Sequence, residues 1–95
     1  MEVLVLGGTG AMGVPLVKLL SKRGDAVYVT TRSQKQNAEN ITYVCGNAKD
    51  SEFFKKLMNR NYDAIVDFMV YGTEELQQRL DSLLNHTSQY FFFSS

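Results

Sequence analysis

Three glycines near the start of the chain have the residue type and spacing for phosphate binding. Two residues separate Gly7 from Gly10, and two separate Gly10 from Gly13. Because glycine has no Cβ atom, Gly7 can form a tight turn and Gly10 can let the backbone approach an anion closely. Gly13 would let a following helix pack against the preceding strand, with free N–H groups and the helix dipole facing the anion. The segment predicts a phosphate-binding turn that also includes Thr9, Ala11 and Met12.

The segments on either side of this turn indicate which phosphate compound it binds. The apolar block Val3–Leu6 precedes the turn and predicts a strand, and Leu16 and Leu20 follow it at helical spacing. Strand, glycine turn and helix in this order form the dinucleotide-binding fingerprint. No Gly-Lys-Ser/Thr sequence follows Gly13, which disfavours a kinase-type phosphate loop. A tight turn without a ligand is the alternative interpretation.

Apolar blocks recur along the whole chain and predict five strands. These are Val3–Leu6, Ala26–Val29, Ile41–Val44, Ala64–Val70 and Tyr90–Phe93. Most of the blocks are continuous rather than alternating, which is typical of parallel strands covered by helices on both faces. The polar segment Arg32–Asn40 predicts a loop or a short, marginal helix between the second and third strands. Without linkers or repeats, residues 1–95 are expected to form one α/β unit.

Helical patterns fill the intervals between strands. The first helix should stop at Gly24, and Pro15 should lie about one turn inside it. The second helix should be capped by Asp50 or Ser51. The third helix should run from Thr73 to Asn85 or His86. The residues predicted to face the core are Met12, Leu16, Leu19 and Leu20 in the first helix, Phe53, Phe54, Leu57 and Met58 in the second, and Leu76, Leu80, Leu83 and Leu84 in the third.

The block from Val3 to Gly13 resembles the start of the short-chain dehydrogenase/reductase superfamily, in its extended or atypical branch of NAD(P)-dependent epimerases and dehydratases. Further matching blocks in family order are Arg32, Gly46–Asp50, Asp63–Phe68 and Tyr90–Ser95, so the resemblance covers the whole chain. It implies a Rossmann-type, doubly wound parallel sheet with strands in the order 3-2-1-4-5. The dinucleotide would then lie across the carboxyl ends of the strands.

The end of the second predicted strand bears on the choice between NAD and NADP. NAD-specific sites usually place a carboxylate there for the ribose hydroxyls, whereas this chain has Thr31 followed by Arg32 and Ser33. The Arg32 guanidinium, with Ser33 or Lys35, suits the 2′-phosphate of NADP and can stack on adenine. We therefore favour NADP and keep NAD as the alternative. If the cofactor is NAD, Arg32 is an exposed cation of the loop without a role in binding.

The resemblance also assigns residues to the rest of the dinucleotide. Asn47 and Ala48 stand where the family contacts adenine, with Asn47 in place of an acidic residue that accepts from the amino group. The resemblance places Phe68, Met69 and Val70 at the end of the fourth strand, beside the nicotinamide ribose. They are bulkier than the small residues that the family usually has there. The alternative is that Met69 or Tyr71 faces the core instead of the cofactor. Asp67 is interpreted as a strand-end carboxylate rather than a buried polar group. Ser94 and Ser95 would line the cofactor pocket.

The resemblance implies a catalytic tyrosine followed four residues later by lysine. None of the five tyrosines has a lysine at that position, and the family's serine or threonine would fall one residue past Ser95. We therefore predict no catalytic residue here, and interpret the chain as the amino-terminal fragment of an NAD(P)-binding domain. The intact protein is expected to be an epimerase, dehydratase or reductase acting on a nucleotide sugar. The alternative is a non-catalytic NAD(P)-binding regulator or redox sensor.

Composition disfavours several other functions. Ten basic and ten acidic residues give no net charge, so nucleic acid is not an expected partner. No apolar run is long enough to span a membrane and no signal peptide is evident, which together with the single cysteine predicts a cytoplasmic protein. We predict no metal site, because the single cysteine, Cys45, is interpreted as a small strand residue and the single histidine, His86, as an exposed surface residue. Tyr90–Phe93 would present an exposed strand edge at which copies could associate.

Overall fold

A computed structural model describes residues 1–7, 13–33, 35–38, 40–69 and 73–92. Their elements are β1 (Glu2–Leu6), α1 (Gly13–Lys22), β2 (Ala26–Thr31), β3 (Ile41–Cys45), α2 (Ser51–Leu57), β4 (Ala64–Asp67), α3 (Thr73–Asn85) and β5 (Tyr90–Phe92). The strands form one parallel sheet in the order β3-β2-β1-β4-β5. The predicted doubly wound α/β fold is thereby confirmed.

The central strand β1 explains why the apolar blocks are continuous. Val3 and Val5 belong to one core cluster, whereas Leu4 and Leu6 belong to another, and all four side chains are fully buried. Successive side chains of a strand point to opposite faces, so a strand that is covered on both faces needs an apolar residue at every position. Both faces of the sheet are therefore part of the core, so polar residues that could bind a ligand are expected at the ends of the strands.

The fourth strand is shorter than predicted. It ends at Asp67 rather than Val70, because the buried Asp67 carboxylate accepts hydrogen bonds from the backbone N–H of Met69 and from the Tyr90 hydroxyl, at 2.9 and 2.8 Å. Asp67 is thus a strand-end residue that is also fully buried. The predicted strand ends at Val70 and Phe93 lie outside the described residues.

The helix α1 begins and ends at residues that suit its termini. Pro15 lies in the first turn, where its missing N–H leaves no intrahelical hydrogen bond unmade. At the other end Gly24, with φ +89°, donates to the carbonyl of Ser21, and Asp25 donates to that of Leu20. This pair of bonds is a Schellman motif, which confirms the predicted stop.

The faces of two helices were predicted less well than their bounds. In α1, Val17 is buried together with Leu20, while Leu19 is 58% exposed. In α3, Leu83 is fully buried but Leu84 is 52% exposed, and Arg79 is buried in a position that the pattern did not predict. The predictions for Leu19 and Leu84 were therefore wrong, because consecutive leucines cannot both lie at the centre of one helix face. Leu16, Leu76 and Leu80 are half-buried.

Loops at the carboxyl edge connect the strands to the helices. Asp50 caps α2 by accepting from the N–H of Glu52 at 3.0 Å, so it rather than Ser51 is the cap. Between β2 and β3 the described residues form a loop without a helix; in it Ala38 makes an isolated antiparallel bridge with Ile41. The loops after β2 and β3 thus leave the sheet at the same edge as the end of β1.

Candidate functional site

A cleft lies at the carboxyl ends of the strands. Its lining residues are Gly7, Thr30, Thr31, Arg32, Gly46, Ala48 and Met69. They follow or end four different strands, and parallel pairing places these strand ends at one edge of the sheet. Five residues predicted to bind the cofactor are therefore brought together: Gly7, Thr31, Arg32, Ala48 and Met69.

Gly7 turns the backbone at the end of β1. Its φ of +72° lies in the left-handed region, which residues other than glycine adopt only with strain. Its N–H donates to the Thr30 Oγ1 at 2.8 Å, which fixes the turn against β2. A Cβ atom here would lie 2.8 Å from the Met69 sulfur. The predicted role of Gly7 as a tight turn is consistent with this conformation, and Met69 covers it closely.

The end of β2 presents a cation to the cleft. Thr31 is buried, and its Oγ1 donates to the Ser33 carbonyl at 3.0 Å and lies 3.3 Å from the Ser33 N–H. This local turn directs the chain away from the sheet at Arg32, which is exposed. Among the residues that the structure describes, no carboxylate forms an ion pair with Arg32. Arg32 also lines the cleft, so an exposed cation lies beside the end of β2.

The loop after β3 forms another wall of the cleft. The Gly46 N–H donates to the Thr31 carbonyl at 2.8 Å, and a Cβ atom at Gly46 would overlap the Phe53 ring. Ala48 is buried, whereas Asn47 is exposed and its Oδ1 accepts from the Lys49 N–H at 3.0 Å. An amide oxygen has a second lone pair, so Asn47 retains the ability to accept from a ligand.

Several predicted residues are not among those that line this cleft. Ser33, Lys35 and Asn47 are exposed, and Phe68 packs half-buried against one core cluster. Met69 packs against the other cluster and also lines the cleft, so the two alternatives for it were not exclusive. Gly13 is the buried first residue of α1. Thr9, Gly10, Ala11, Met12, Val70 and Ser94, together with Tyr71 and Ser95, lie outside the described residues.

Gly46, which lines the cleft, and Arg79, which contacts the loop after β3 without lining the cleft, were not among the predicted site residues. Gly46 carried a usable signal, because a glycine directly after an apolar block marks a strand end where a backbone can approach a ligand. Arg79 carried none, because a single arginine in a helix otherwise rich in polar residues is indistinguishable from an exposed one.

A larger cleft, of about 360 Å³ against about 110 Å³, lies between α2 and α3. It is lined by side chains of both charges, among them Lys55 and Glu75. We place the candidate site in the smaller cleft, because glycine backbone and an exposed arginine meet there at the carboxyl ends of parallel strands.

Of the two residues considered for metal binding, His86 differs from its predicted exposure. It is half-buried, with its Nδ1 2.7 Å from the Ser82 carbonyl, whereas Cys45 is the last residue of β3, a strand residue as predicted, and is exposed. Within the described ranges, no group of three His, Cys, Asp or Glu residues is placed to hold a metal ion. No helix of this part of the chain is both long and apolar enough to cross a bilayer.

A parallel sheet in the order 3-2-1-4-5, with a glycine turn after β1, defines a Rossmann-type domain. The chain belongs to the NAD dependent epimerase/dehydratase family, whose model matches residues 3–87. This establishes the family that the sequence resembled. No curated protein matches the chain at a significant level.

Solved structures share the fold. Gre2 from Candida albicans superimposes with a TM-score of 0.77 at 17% identity, covering 97% of this chain and 35% of Gre2. A short-chain dehydrogenase/reductase superfamily protein from Agrobacterium tumefaciens, solved with bound NAD, gives 0.73 at 18% identity, covering 97% and 32%. The enzyme WbmH from Bordetella bronchiseptica, in complex with NAD+, gives 0.63 at 24% identity, covering 77% and 27%. The chain thus spans about a third of the length of these structures.

Proposed function

We propose that this chain is the dinucleotide-binding part of an NAD(P)-dependent protein and that it binds NADP in preference to NAD. The observation that carries the proposal is the cleft at the carboxyl edge, where Gly7, Arg32 and Gly46 meet. A Rossmann-type sheet binds its ligand at this edge, and the family match and the NAD-containing structures named above support the same ligand class.

The residues around the cleft fit such a ligand. Gly7 provides a tight turn that lines the cleft, and Gly46 and Ala48 line it after the end of β3. The Thr31–Arg32 pair provides no carboxylate for ribose hydroxyls but a planar cation for a 2′-phosphate. Asn47 would accept from the adenine amino group. The dinucleotide would supply hydride-transfer chemistry, while the residues of this chain bind and orient it.

For the intact protein we propose an epimerase, dehydratase or reductase, with a nucleotide sugar as its small-molecule substrate. The family match supports the reaction class. The single cysteine supports a reducing compartment, the cytoplasm, as its location.

A non-catalytic NAD(P)-binding regulator is a second candidate. Met69 favours it, because the resemblance places small residues beside the nicotinamide ribose at this position, whereas this chain has a bulky thioether lining the cleft. Conversion of nucleotide sugars to product by the intact protein in the presence of NADP or NAD, in oxidised or reduced form, distinguishes the two, since a regulator binds the nucleotide without converting a substrate.

Calorimetric titration of the purified protein with NADPH and with NADH tests the binding proposal. We expect NADPH to bind more tightly, and Arg32→Ala to weaken NADPH by about tenfold or more while changing NADH little, because hydrogen bonds to charged groups contribute about 1.5–3 kcal/mol. Arg23→Ala is the matched control, since Arg23 is an exposed arginine that pairs with Asp25 at the far end of α1.

The outcomes of the titration separate the two parts of the proposal. Absence of binding by either nucleotide contradicts the dinucleotide site itself. Binding of both nucleotides with no preference, unchanged in Arg32→Ala, contradicts only the assignment of NADP.

A further inference from the structure

Arg79 connects α3 to the loop that forms one wall of the cleft. Its guanidinium donates to the backbone carbonyls of Ala48 and Lys49, 31 and 30 residues earlier in the chain. Its Cζ lies 4.4 Å from the centre of the Phe54 ring, and the residue is 9% exposed. One side chain therefore contacts both the loop after β3 and the helix α2 that follows it.

The burial of Arg79 indicates a role beyond packing. Burial of a guanidinium is unfavourable unless its N–H groups have acceptors, and an apolar residue would occupy the same space without that requirement. The planar fork can reach two carbonyls at once in fixed directions, which a lysine ammonium does not do. The arrangement thus fixes the orientation of the peptide groups at Ala48 and Lys49.

These peptide groups are continuous with the cleft. Ala48 lines it, and two residues earlier Gly46 is joined to the end of β2 through its hydrogen bond to the Thr31 carbonyl. Asn47 lies between these two fixed points. The position of its side chain therefore depends on the β2 contact on one side and on Arg79 on the other.

We propose that Arg79 is a positioning residue for dinucleotide binding, which holds the Gly46–Ala48 wall in place for the adenosine end of the ligand. This inference rests on the proposed function. Arg79 itself does not line the cleft, so it acts through the loop. Because the contact is to backbone carbonyls, the role depends on the arginine and not on the identity of the loop side chains.

Titration of Arg79→Met and Arg79→Lys with NADPH and with ADP tests the inference. Methionine keeps the apolar contact with Phe54 but removes both hydrogen bonds. We expect about tenfold weaker binding of both ligands, because the loop would then have to be ordered when the ligand binds. Arg79→Lys should restore part of the affinity, because one ammonium reaches one carbonyl. Leu20→Ala is the control: it destabilises the core from α1, on the other face of the sheet.

Amide hydrogen exchange gives a second readout in the same variants. Arg79→Met should speed exchange at Lys49 and Asp50 more than Leu20→Ala does, with both compared at equal global stability. Unchanged affinity in Arg79→Met, or loop exchange no faster than in Leu20→Ala, overturns the inference while the parent protein still binds. A parent protein that binds neither ligand contradicts the proposed function, and the inference fails with it.

Discussion

Two buried polar residues fix the end of a strand and the position of a loop. Asp67 terminates β4 by bonding to the Met69 N–H and the Tyr90 hydroxyl, and Arg79 joins α3 to the loop after β3. Neither role could be predicted from the sequence, because each depends on a partner distant in the chain or on a backbone turn. By contrast, Thr31 and Arg32 could be assigned to the cleft, because residues directly after a parallel strand necessarily lie at its carboxyl edge.

Tyr62 gives a pH-dependent prediction at the residue scale. Burial raises the pKa of its phenol above the ordinary value of 10.0, and the Arg60 guanidinium, 5.7 Å from the ring centre, partly opposes this. A group whose pKa is raised by folding stabilises the protein below its unfolded pKa, and this contribution is lost as pH rises through the folded pKa. The free energy of unfolding should therefore fall above about pH 10.

Urea unfolding of the parent protein and of Tyr62→Phe between pH 7 and 11 checks this. Below pH 9 the variant should be less stable by about 1 kcal/mol, since it lacks the 2.9 Å hydrogen bond from the Tyr62 hydroxyl to the Leu57 carbonyl. The difference should shrink above about pH 10. A difference that stays constant to pH 11 would show that Tyr62 does not titrate differently on folding.

At the scale of elements, continuous apolar blocks predicted the strands and their parallel pairing, while helix faces and strand ends were predicted less accurately. Leu19 and Leu84 each adjoin a leucine that is buried, and periodicity alone does not decide which of the two faces the sheet. The cap at Asp50 and the stop at Gly24 were predictable because each depends on local backbone chemistry.

The two positive-φ glycines at element ends provide a matched pair for a stability test. Gly7 follows β1 and Gly24 follows α1; a Cβ atom at Gly7 would meet Met69, whereas one at Gly24 would meet nothing within 4 Å. Each glycine-to-alanine change should lower the free energy of unfolding by about 1–2 kcal/mol from backbone strain. Gly7→Ala should cost more, because Met69 must also move.

Chemical denaturation of the two variants measures this difference. The double change Gly7→Ala with Met69→Ala, compared with each single change, isolates the contact from the strain. If Gly7→Ala proves no more destabilising than Gly24→Ala, Met69 does not crowd Gly7 as the structure indicates.

At the scale of the whole molecule, chemistry and stability are separated along the strands. Apolar side chains fill both faces of the sheet, and the candidate site occupies only the carboxyl edge, where β1, β2, β3 and β4 end. On β5, Phe91 and Phe92 are partly exposed, at 46% and 37%, and the predicted association of copies through this strand remains a prediction. The family of the chain could be inferred from its sequence because the glycine turn and the order of blocks carry it; the substrate could not.

The central claim is that a dinucleotide binds at the carboxyl edge of this sheet. Amide chemical-shift mapping of isotope-labelled protein during titration with NADPH tests it most directly. We predict the largest shifts at Gly7, at residues 31–33 and at residues 46–48, with little change at the opposite edge near Asn61 and Thr87. Shifts confined to that opposite edge or to the cleft between α2 and α3, or no shifts at all, would contradict it.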